Sequence, residues 1–394
     1  MAFLIGGANS AAATGFDVDN SCRFDGTNDY MVRSATGTSS ESNNKWTFSC
    51  WVKRSKLGAE QMIMDHRGSG NQFNIRFMSD DSIQAYDYVG GILMQKDTNA
   101  VYRDVAAWYH ILWSSDRSIG SPTTKLYVNG TEVTSFATSN EYSQDDTGAA
   151  NQNYDTWIGG ENSSGARLGA YIAEMVWLDG TFVSDATDFG EFDSDSPTIW
   201  KPKDVSGLTF GTNGWYFDFK DSSNLGNDAN GGTDFSETGI AAADQATDTP
   251  TNNFATMNPL DNFYQGYTYS EGNLKVVTQA SSIYTFASST IGVSSGKWYA
   301  ECKLAASGGY ADIGIGDNIS SGTVDSLGGD TNEYAKHDFS SNVTAQGSGV
   351  ANGSALSVGN ICGIYLDLDN NKLYFSINGS LQNSTGISIS ASSA

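Results

Sequence analysis

Apolar and polar residues alternate along most of the chain, and helical periodicity is almost absent. In Trp46-Thr47-Phe48-Ser49-Cys50-Trp51-Val52 the residues Trp46, Phe48, Cys50 and Val52 fall on one face of an extended strand. Lys125-Leu126-Tyr127-Val128 runs into Asn129-Gly130, a short-range hairpin signal. The same pattern returns at Lys372–Ile377 before Asn378-Gly379, with Leu373, Phe375 and Ile377 on the apolar face. Two such hairpins some 250 residues apart predict two all-β domains.

Punctuation marks the boundary between them. Four of the five prolines (Pro197, Pro202, Pro250, Pro259) fall in one stretch. Residues 181–260 hold 13 acidic side chains against 3 lysines, so 13 − 3 places ten of the net negative charges there. Apolar residues thin out between Asp218 and Asp261, which reads as an acidic, Pro/Gly/Asn-rich connector over 201–260 with one embedded strand at Trp215–Phe219. Flexible linkers rarely carry aromatics such as Phe235 and Phe254, so the connector is expected to be docked.

Composition narrows the function. The 394 residues carry 45 Asp and Glu against 21 Lys and Arg, a net charge of −24. Such a polyanion is repelled by nucleic-acid backbones and by anionic lipid. Aromatics at 12% exclude disorder throughout, and 44 glycines fit short strands joined by many turns. No apolar run is long enough for a membrane helix, and the first residues lack the charged flank of a secretory signal. Cys22, Cys50, Cys302 and Cys362 form no close pair, so they read as plain thiols from a reducing compartment.

Several strings resemble known families. FDGTNDYM (24–31), WTFSCWVKR (46–54), WYHILWSSD (108–116), KLYVNGTEV (125–133), WIGG (157–160) and LGAYIAEMVWLDGTFVS (168–184) resemble, in this order, the strands of laminin-G-like, concanavalin-type jelly rolls. SGKWYAECKL (295–304), ADIGIGD (311–317) and VGNICGIYLDLDNNKLYFSINGS (358–380) are similar to SPRY domains, another concanavalin-like sandwich. The resemblance implies an all-β chain of two concanavalin A-like antiparallel β-sandwich (jelly-roll) domains: an N-terminal docking arm at 1–20, a laminin-G-like sandwich at 21–200, the connector, and a SPRY-like sandwich at 261–394. SPRY domains normally continue beyond that last hairpin, so the second sandwich is expected to be incomplete at its C-terminal end or completed by a neighbour. GWYFDFKDSSNLGNDANGG (214–232) and DTPTNNFATMNPLD (248–261) resemble connectors in tail-fibre or virion-associated proteins of marine bacteriophages.

Catalytic chemistry is poorly supplied. A retaining glycosidase of this fold needs two carboxylates about 5 Å apart on one strand. The nearest string, Glu191-Phe192-Asp193-Ser194-Asp195-Ser196-Pro197, lacks the second Glu and is broken by Pro197, so it reads as a solvated acidic loop. His110 reads as a core or strand-edge residue, His66 as part of a salt-bridged turn, and His337 as a loop residue; none has a nucleophile motif beside it.

Binding chemistry fares better. Calcium takes oxygen ligands, and the Asp218–Gly231 loop offers Asp221, Asn224, Asn227 and Asp228 as a candidate metal site; no other cofactor is expected. Gln84, Tyr86 and Tyr88 share one strand face opposite Ile83, Ala85 and Val89, a polar-aromatic stripe that suits a sugar and equally suits packing under the connector or a neighbouring subunit.

The sequence therefore predicts a non-enzymatic structural component of a phage particle, made in the bacterial cytoplasm and carried on the virion. A tail fibre or surface appendage contacting host-surface polysaccharide or protein is the first expectation. A capsid decoration protein is the second, and a carbohydrate-active enzyme is disfavoured. Expected partners are other virion proteins and copies of the chain itself, with a trimer as the default, and neither nucleic acid nor an inserted membrane.

Overall fold

The computed structural model describes residues 2–4, 15–35, 37, 44–150, 152–162, 165–263, 267–278, 285–316 and 326–389. They form antiparallel sheets with one three-residue helical turn at Ala242–Asp244, as the alternating pattern predicts. The chain divides into two compact units, residues 7–253 and residues 254–394 with 1–6.

The first unit is a sandwich of two eight-stranded sheets. One sheet runs Thr131–Val133, Thr123–Val128, Tyr109–Asp116, Lys45–Arg54, Gly169–Asp179, Ser21–Asp25, Gln245–Ala246, with Trp215–Phe217 also on Gly169–Asp179. The other runs Phe136–Asn140, Ile92–Val101, Ser82–Tyr88, Asn71–Phe77, Gln61–Gly68, Asp155–Ile158, Tyr30–Arg33, Ser236–Thr238. Trp46, Phe48, Cys50 and Val52 all enter the core between the sheets, against Phe73, Ile75 and Ile83. Asn129 and Gly130 both take positive φ (48° and 72°), the geometry whose twist matches a two-residue hairpin.

The two sheets differ in what lies outside them. The outer face of the first carries Trp51, Leu112, Tyr127 and Tyr171, and a second apolar layer from residues 183–216 closes over it, including Phe189, Trp200 and Phe210. Polar pegs fix that layer: Thr47 Oγ1 donates to the Thr181 carbonyl at 2.8 Å, and the Val183 amide donates to Ser114 Oγ at 2.8 Å. His110 is one of these pegs. Trp200 Nε1 donates to its Nδ1 (3.1 Å), so its Nε2–H donates to Ser49 Oγ (2.9 Å), and burial holds its pKa down near 3. It is a neutral core residue.

The segment read as a connector is built into this unit. Ser236–Thr238 extends one sheet beyond Tyr30–Arg33, and Gln245–Ala246 extends the other beyond Ser21–Asp25. Trp215, Phe217, Phe219, Leu225 and Phe235 join the central core. The compact unit thus continues past residue 200 to Asn253, because the sheets need these strands at their edges and the core needs these rings.

Glu174 takes a left-handed φ of 46° where the Gly169–Asp179 strand breaks register against Lys45–Arg54 between Ala173 and Val176. Its side chain is buried and accepts the Tyr216 hydroxyl at 2.5 Å. Burial, opposed by that hydrogen bond, pushes its pKa up to about 7. The neutral acid therefore stabilises the fold below the unfolded-state pKa, and this contribution is lost as pH rises through about 7, about 3 kcal/mol in all. His66 and His110, whose pKa values are lowered, act in the opposite direction across the same range, so the variant difference is the informative quantity. Glu174→Gln is expected to match the wild type at pH 5 and to exceed it by about 2–3 kcal/mol in unfolding free energy at pH 8; a flat difference between those pH values would refute the buried neutral acid.

The second unit has a sheet of Ala2–Leu4, Lys297–Lys303, Ile361–Asp367, Lys372–Ile377 and Ser380–Leu381, with Ile387–Ser388 also on Lys372–Ile377. A four-stranded sheet runs Asp312–Ile315, Tyr334–His337, Asn342–Ala345, Ser348–Ala351. Leu373 and Phe375 are buried between them, and Ile377 packs at the margin. Residues 1–20, expected to form a docking arm, make contacts within the chain in their described parts. Ala2–Leu4 pairs with Lys297–Lys303 and covers an otherwise open edge, and Val18 packs into the covering layer of the first unit. Residue 1 and residues 5–14 of that arm, and Asp317 of the ADIGIGD string, lie outside the described residues.

Candidate functional site

One large face of the first unit remains open. Phe73, Ile75 and Phe77 point into the core, so the alternate residues Gln72, Asn74 and Arg76 belong to the sheet's outer face, where Asn74 is fully buried among its neighbours. Register then fixes their neighbours: Tyr88, Tyr86 and Gln84 on one side, Arg67 and Asp65 on the other. Trp157 lies opposite Asp65, with Val32 next across. Gln95 and Asp97 continue the face beyond Tyr86 and Gln84. Among the described residues no apolar layer forms over this surface, in contrast to the other sheet.

Its chemistry is polar and aromatic. Tyr86 and Tyr88 lie stacked, with ring centroids 6.4 Å apart and 13° between planes, and both stay half-exposed. Arg76 holds its guanidinium 5.7 Å from the Tyr86 ring. Gln84 is locked beneath them: its Oε1 accepts from Arg76 Nε at 2.7 Å, and its Nε2 donates to Asp97 Oδ1 at 2.6 Å. Only 2% of Gln84 is exposed, so it positions Arg76 and cannot itself meet a ligand. Towards Trp157, Asp65 is fully buried and takes both Nε and Nη2 of Arg67, whose Nη2 also reaches Glu161 Oε2 at 2.6 Å. Burial raises the Asp65 pKa to about 6 against the pull of Arg67. Arg167 lies 4.3 Å over the Tyr30 ring at the same end.

Tyr86 and Tyr88 stand on this face as their alternation predicts, whereas Trp157, Arg67, Glu161 and Arg76 were not among the expected site residues. Alternation with Phe73, Ile75 and Phe77 is a signal that could have found Arg76. Which strands lie beside Ser82–Tyr88 is a matter of register between distant segments, and local pattern does not carry it.

His66 corrects the expected salt-bridged turn. Asp65 faces outward to Arg67, whereas His66, on the opposite face of the strand, is 8% exposed within the sandwich. Its Nε2–H donates to the Gln152 carbonyl (3.1 Å), so Nδ1 accepts from Thr156 Oγ1 (2.8 Å), and burial lowers its pKa to about 4. His337 is likewise a strand residue and 1% exposed; Thr344 N–H donates to its Nε2, which leaves Nδ1–H for Asp312 at 2.6 Å.

The other candidates are used locally. Asp221 caps the Ser223 amide and hydroxyl, and Asn224 Nδ2 donates to Asp234. Asp228 turns inward to accept the Tyr216 and Asn230 amides at 3.0 Å each, while Asn227 contributes its backbone amide to the Asn224 carbonyl. Among the described residues no group of three or more His, Cys, Asp or Glu is arranged for a metal. Asp193 caps Asp195 and Ser196 and lies 3.4 Å from Lys201, which also approaches Glu191 at 3.6 Å.

Comparison with a protein-family model agrees with this architecture. Residues 25–185 match the family model of the concanavalin A-like lectin/glucanases superfamily. Among solved structures, a provisionally described carbohydrate-binding protein of Bacteroides ovatus is similar at 15% identity and a TM-score of 0.38, over 57% of this chain and 60% of that one. The mouse laminin alpha1 LG4-5 domains are similar at 11% identity and a TM-score of 0.35, over 96% and 80% of the two chains. A heptameric pentraxin of Limulus polyphemus is similar at 12% identity and a TM-score of 0.32, over 43% and 80%. The chain spans 60% of the Bacteroides protein. No curated protein matches the sequence. The fold over residues 25–185 is that of a concanavalin A-like, laminin G-type β-sandwich.

Proposed function

We propose that the protein is a non-enzymatic adhesin that binds a surface polysaccharide across the open sheet of its first unit. The observation that carries this reading is the uncovered face on which Trp157 and the Tyr86–Tyr88 pair flank a bank of oriented charges, Arg67, Glu161 and Arg76. Aromatic rings cover the apolar faces of sugar rings, and pre-ordered carboxylates and guanidiniums meet their hydroxyls. Such a surface suits an extended chain of sugars better than one enclosed ligand.

The finer reading places this adhesin on a bacteriophage particle, as a tail fibre or surface appendage, with the second unit as its SPRY-like partner domain. The resemblance of 214–232 and 248–261 to virion connectors supports it. A homotrimer is the form in which such fibres present several weak sites at once. Calcium at the Asp218–Gly231 loop would compete with the hydrogen bonds that Asp221, Asn224 and Asp228 already make.

Binding of the labelled protein to intact bacterial cells tests the proposal, with purified surface polysaccharide as competitor and with or without a calcium chelator. Saturable binding lost to competitor is the expected result. Trp157→Ala and the double change Tyr86→Ala/Tyr88→Ala are each expected to weaken it about tenfold, near 1.4 kcal/mol, with unchanged thermal unfolding. Absence of binding from a protein that still adds to stripped phage particles would replace this reading with a decoration role.

A further inference from the structure

The four cysteines, scattered along the sequence, are sorted by the fold into one pair and two single thiols. Cys302 on Lys297–Lys303 and Cys362 on Ile361–Asp367 stand directly opposite each other in antiparallel register. Opposed residues share one face of a sheet, and here it is the core face: both thiols pack in the apolar cluster of the second unit with Ala300, Ile364 and Phe375. Opposed Cα atoms in such a ladder lie about 4.5–5.5 Å apart, inside the range of about 4.4–6.8 Å that a disulfide spans. Both are free thiols in this structure.

Cys22 and Cys50 are placed differently. Cys22 lies opposite Ile172, and the strand of Cys50 runs along the other side of Gly169–Asp179, where Val52 is opposite Ile172. Two strand spacings, roughly 9–10 Å, separate the two cysteines, beyond the limit of about 7 Å for a bridge. Access differs as well. Cys22, Cys50 and Cys362 are 0% exposed, whereas Cys302 is partly exposed. Ala2–Leu4 pairs with Lys297–Lys303 only as far as Glu301, so among the described residues no strand lies along the outer side of Cys302. One thiol of the pair is therefore open to solvent, and the other is shielded behind it.

We propose that Cys302 and Cys362 form a redox-closed staple in the second unit, open as two thiols under reducing conditions and joined by a small-molecule disulfide such as oxidised glutathione. The Cys302 thiolate attacks one sulfur of that reagent, breaks its S–S bond, forms a mixed disulfide and releases one thiol. Cys362, as its thiolate, then attacks the Cys302 sulfur and releases the second thiol. Two protein thiols are oxidised, one external disulfide is reduced, and the two thiol protons end on the released thiols. Burial, with Cys302 beside it, pushes the Cys362 pKa up to about 12, so closure is expected to be slow near neutral pH and to quicken towards pH 9. The bond joins positions 60 residues apart (362 − 302) and so constrains the unfolded chain. Both cysteines lie in the second unit, so this inference stands independently of polysaccharide binding by the first.

Incubation of the folded full chain with oxidised glutathione tests this, followed by alkylation in denaturant and peptide mass mapping. The expected product has Cys22 and Cys50 alkylated and the peptides of Cys302 and Cys362 linked within one chain. In calorimetry the second unit of the oxidised chain is expected to unfold at least about 5 °C above that of the reduced chain, and dithiothreitol is expected to reverse the shift. Cys302→Ser is expected to leave every remaining cysteine free of an internal bond and to show no such shift. Because that residue is partly exposed, the variant keeps the test decisive if Cys362→Ser does not fold. The proposal is overturned by four alkylated cysteines after oxidation at pH 9, by a reaction that stops at a mixed disulfide on Cys302, by bonds to another chain or another cysteine in place of the pair, or by a closed bond that leaves the midpoint unmoved.

Discussion

Replacing Asp87 by alanine is expected to lower the unfolding free energy of the first unit by about 3–5 kcal/mol, a large loss for a single side chain. Asp87 sits on the inward face of Ser82–Tyr88 and is fully buried. Its Oδ1 accepts the Ala149 amide at 2.8 Å, and its Oδ2 accepts the Tyr142 hydroxyl at 2.7 Å. The fully buried Arg117 lies 3.6 Å from Oδ2 with its guanidinium 4.8 Å from the Tyr142 ring. Alanine leaves the Tyr142 hydroxyl and the Ala149 amide without their shared acceptor and removes the carboxylate that faces the buried Arg117, and each loss carries a desolvation cost. Gly148 packs against the same pair so tightly that a Cβ there would collide with both Asp87 and Arg117.

The readout is direct. Eight of the nine tryptophans (Trp46, Trp51, Trp108, Trp113, Trp157, Trp177, Trp200, Trp215) belong to the first unit, so tryptophan fluorescence in a urea titration follows its unfolding. Adding Arg117→Met to Asp87→Ala is expected to restore part of the loss, because it also removes the buried cation that Asp87 faced. A single-variant loss below about 1 kcal/mol would mean that water reaches Arg117 and that the buried pair is not structural.

What the sequence disclosed, and what it withheld, follows the range of the forces involved. Alternation is local, so the inward facing of Trp46, Phe48, Cys50, Ile83 and Ala85 was readable, as were the hairpin turns at Asn129-Gly130 and Asn378-Gly379. The character of Tyr86 and Tyr88 as outward rings was readable for the same reason. The company they keep was not, since Trp157 comes onto their face through pairings that span almost a hundred residues. Asp65-His66-Arg67 shows the limit within three residues. Adjacency suggested a local His–Asp contact, whereas strand geometry sends Asp65 and Arg67 to one face and His66 to the other. Asp87 was invisible as a core residue because a lone acid in a strand reads as solvated until its partner Arg117, thirty residues away, is brought beside it.

The boundary at residue 200 gives the second large expected effect. Low apolar density over 218–261 suggested a connector, but sparse rings can each be deeply buried. Phe210, Trp215, Tyr216, Phe217, Phe219, Leu225 and Phe235 are all at most 4% exposed. At about 1.5–3 kcal/mol for each buried side chain, their removal forfeits roughly 10–20 kcal/mol, as much as the whole stability of a typical domain. Asp248 adds a polar tie: Lys53 Nζ donates to its Oδ2 at 2.7 Å, Trp108 Nε1 to its Oδ1 at 3.0 Å, and Ser21 Oγ to its backbone carbonyl at 2.6 Å. A chain of residues 15–200 would leave Lys53, 1% exposed at its side chain, facing no carboxylate at this position. It would also open two sheet edges, at Tyr30–Arg33 and Ser21–Asp25, that invite aggregation. Residues 15–253 expressed alone are therefore expected to be soluble and to unfold cooperatively, whereas residues 15–200 are expected to be insoluble or to lack near-ultraviolet circular dichroism. Within the longer chain, Asp248→Ala is expected to cost about 3 kcal/mol by removing the buried carboxylate that Lys53 Nζ and Trp108 Nε1 share. Equal unfolding midpoints for the two fragments would show that the sandwich is complete at residue 200 and that 201–253 merely rests on it.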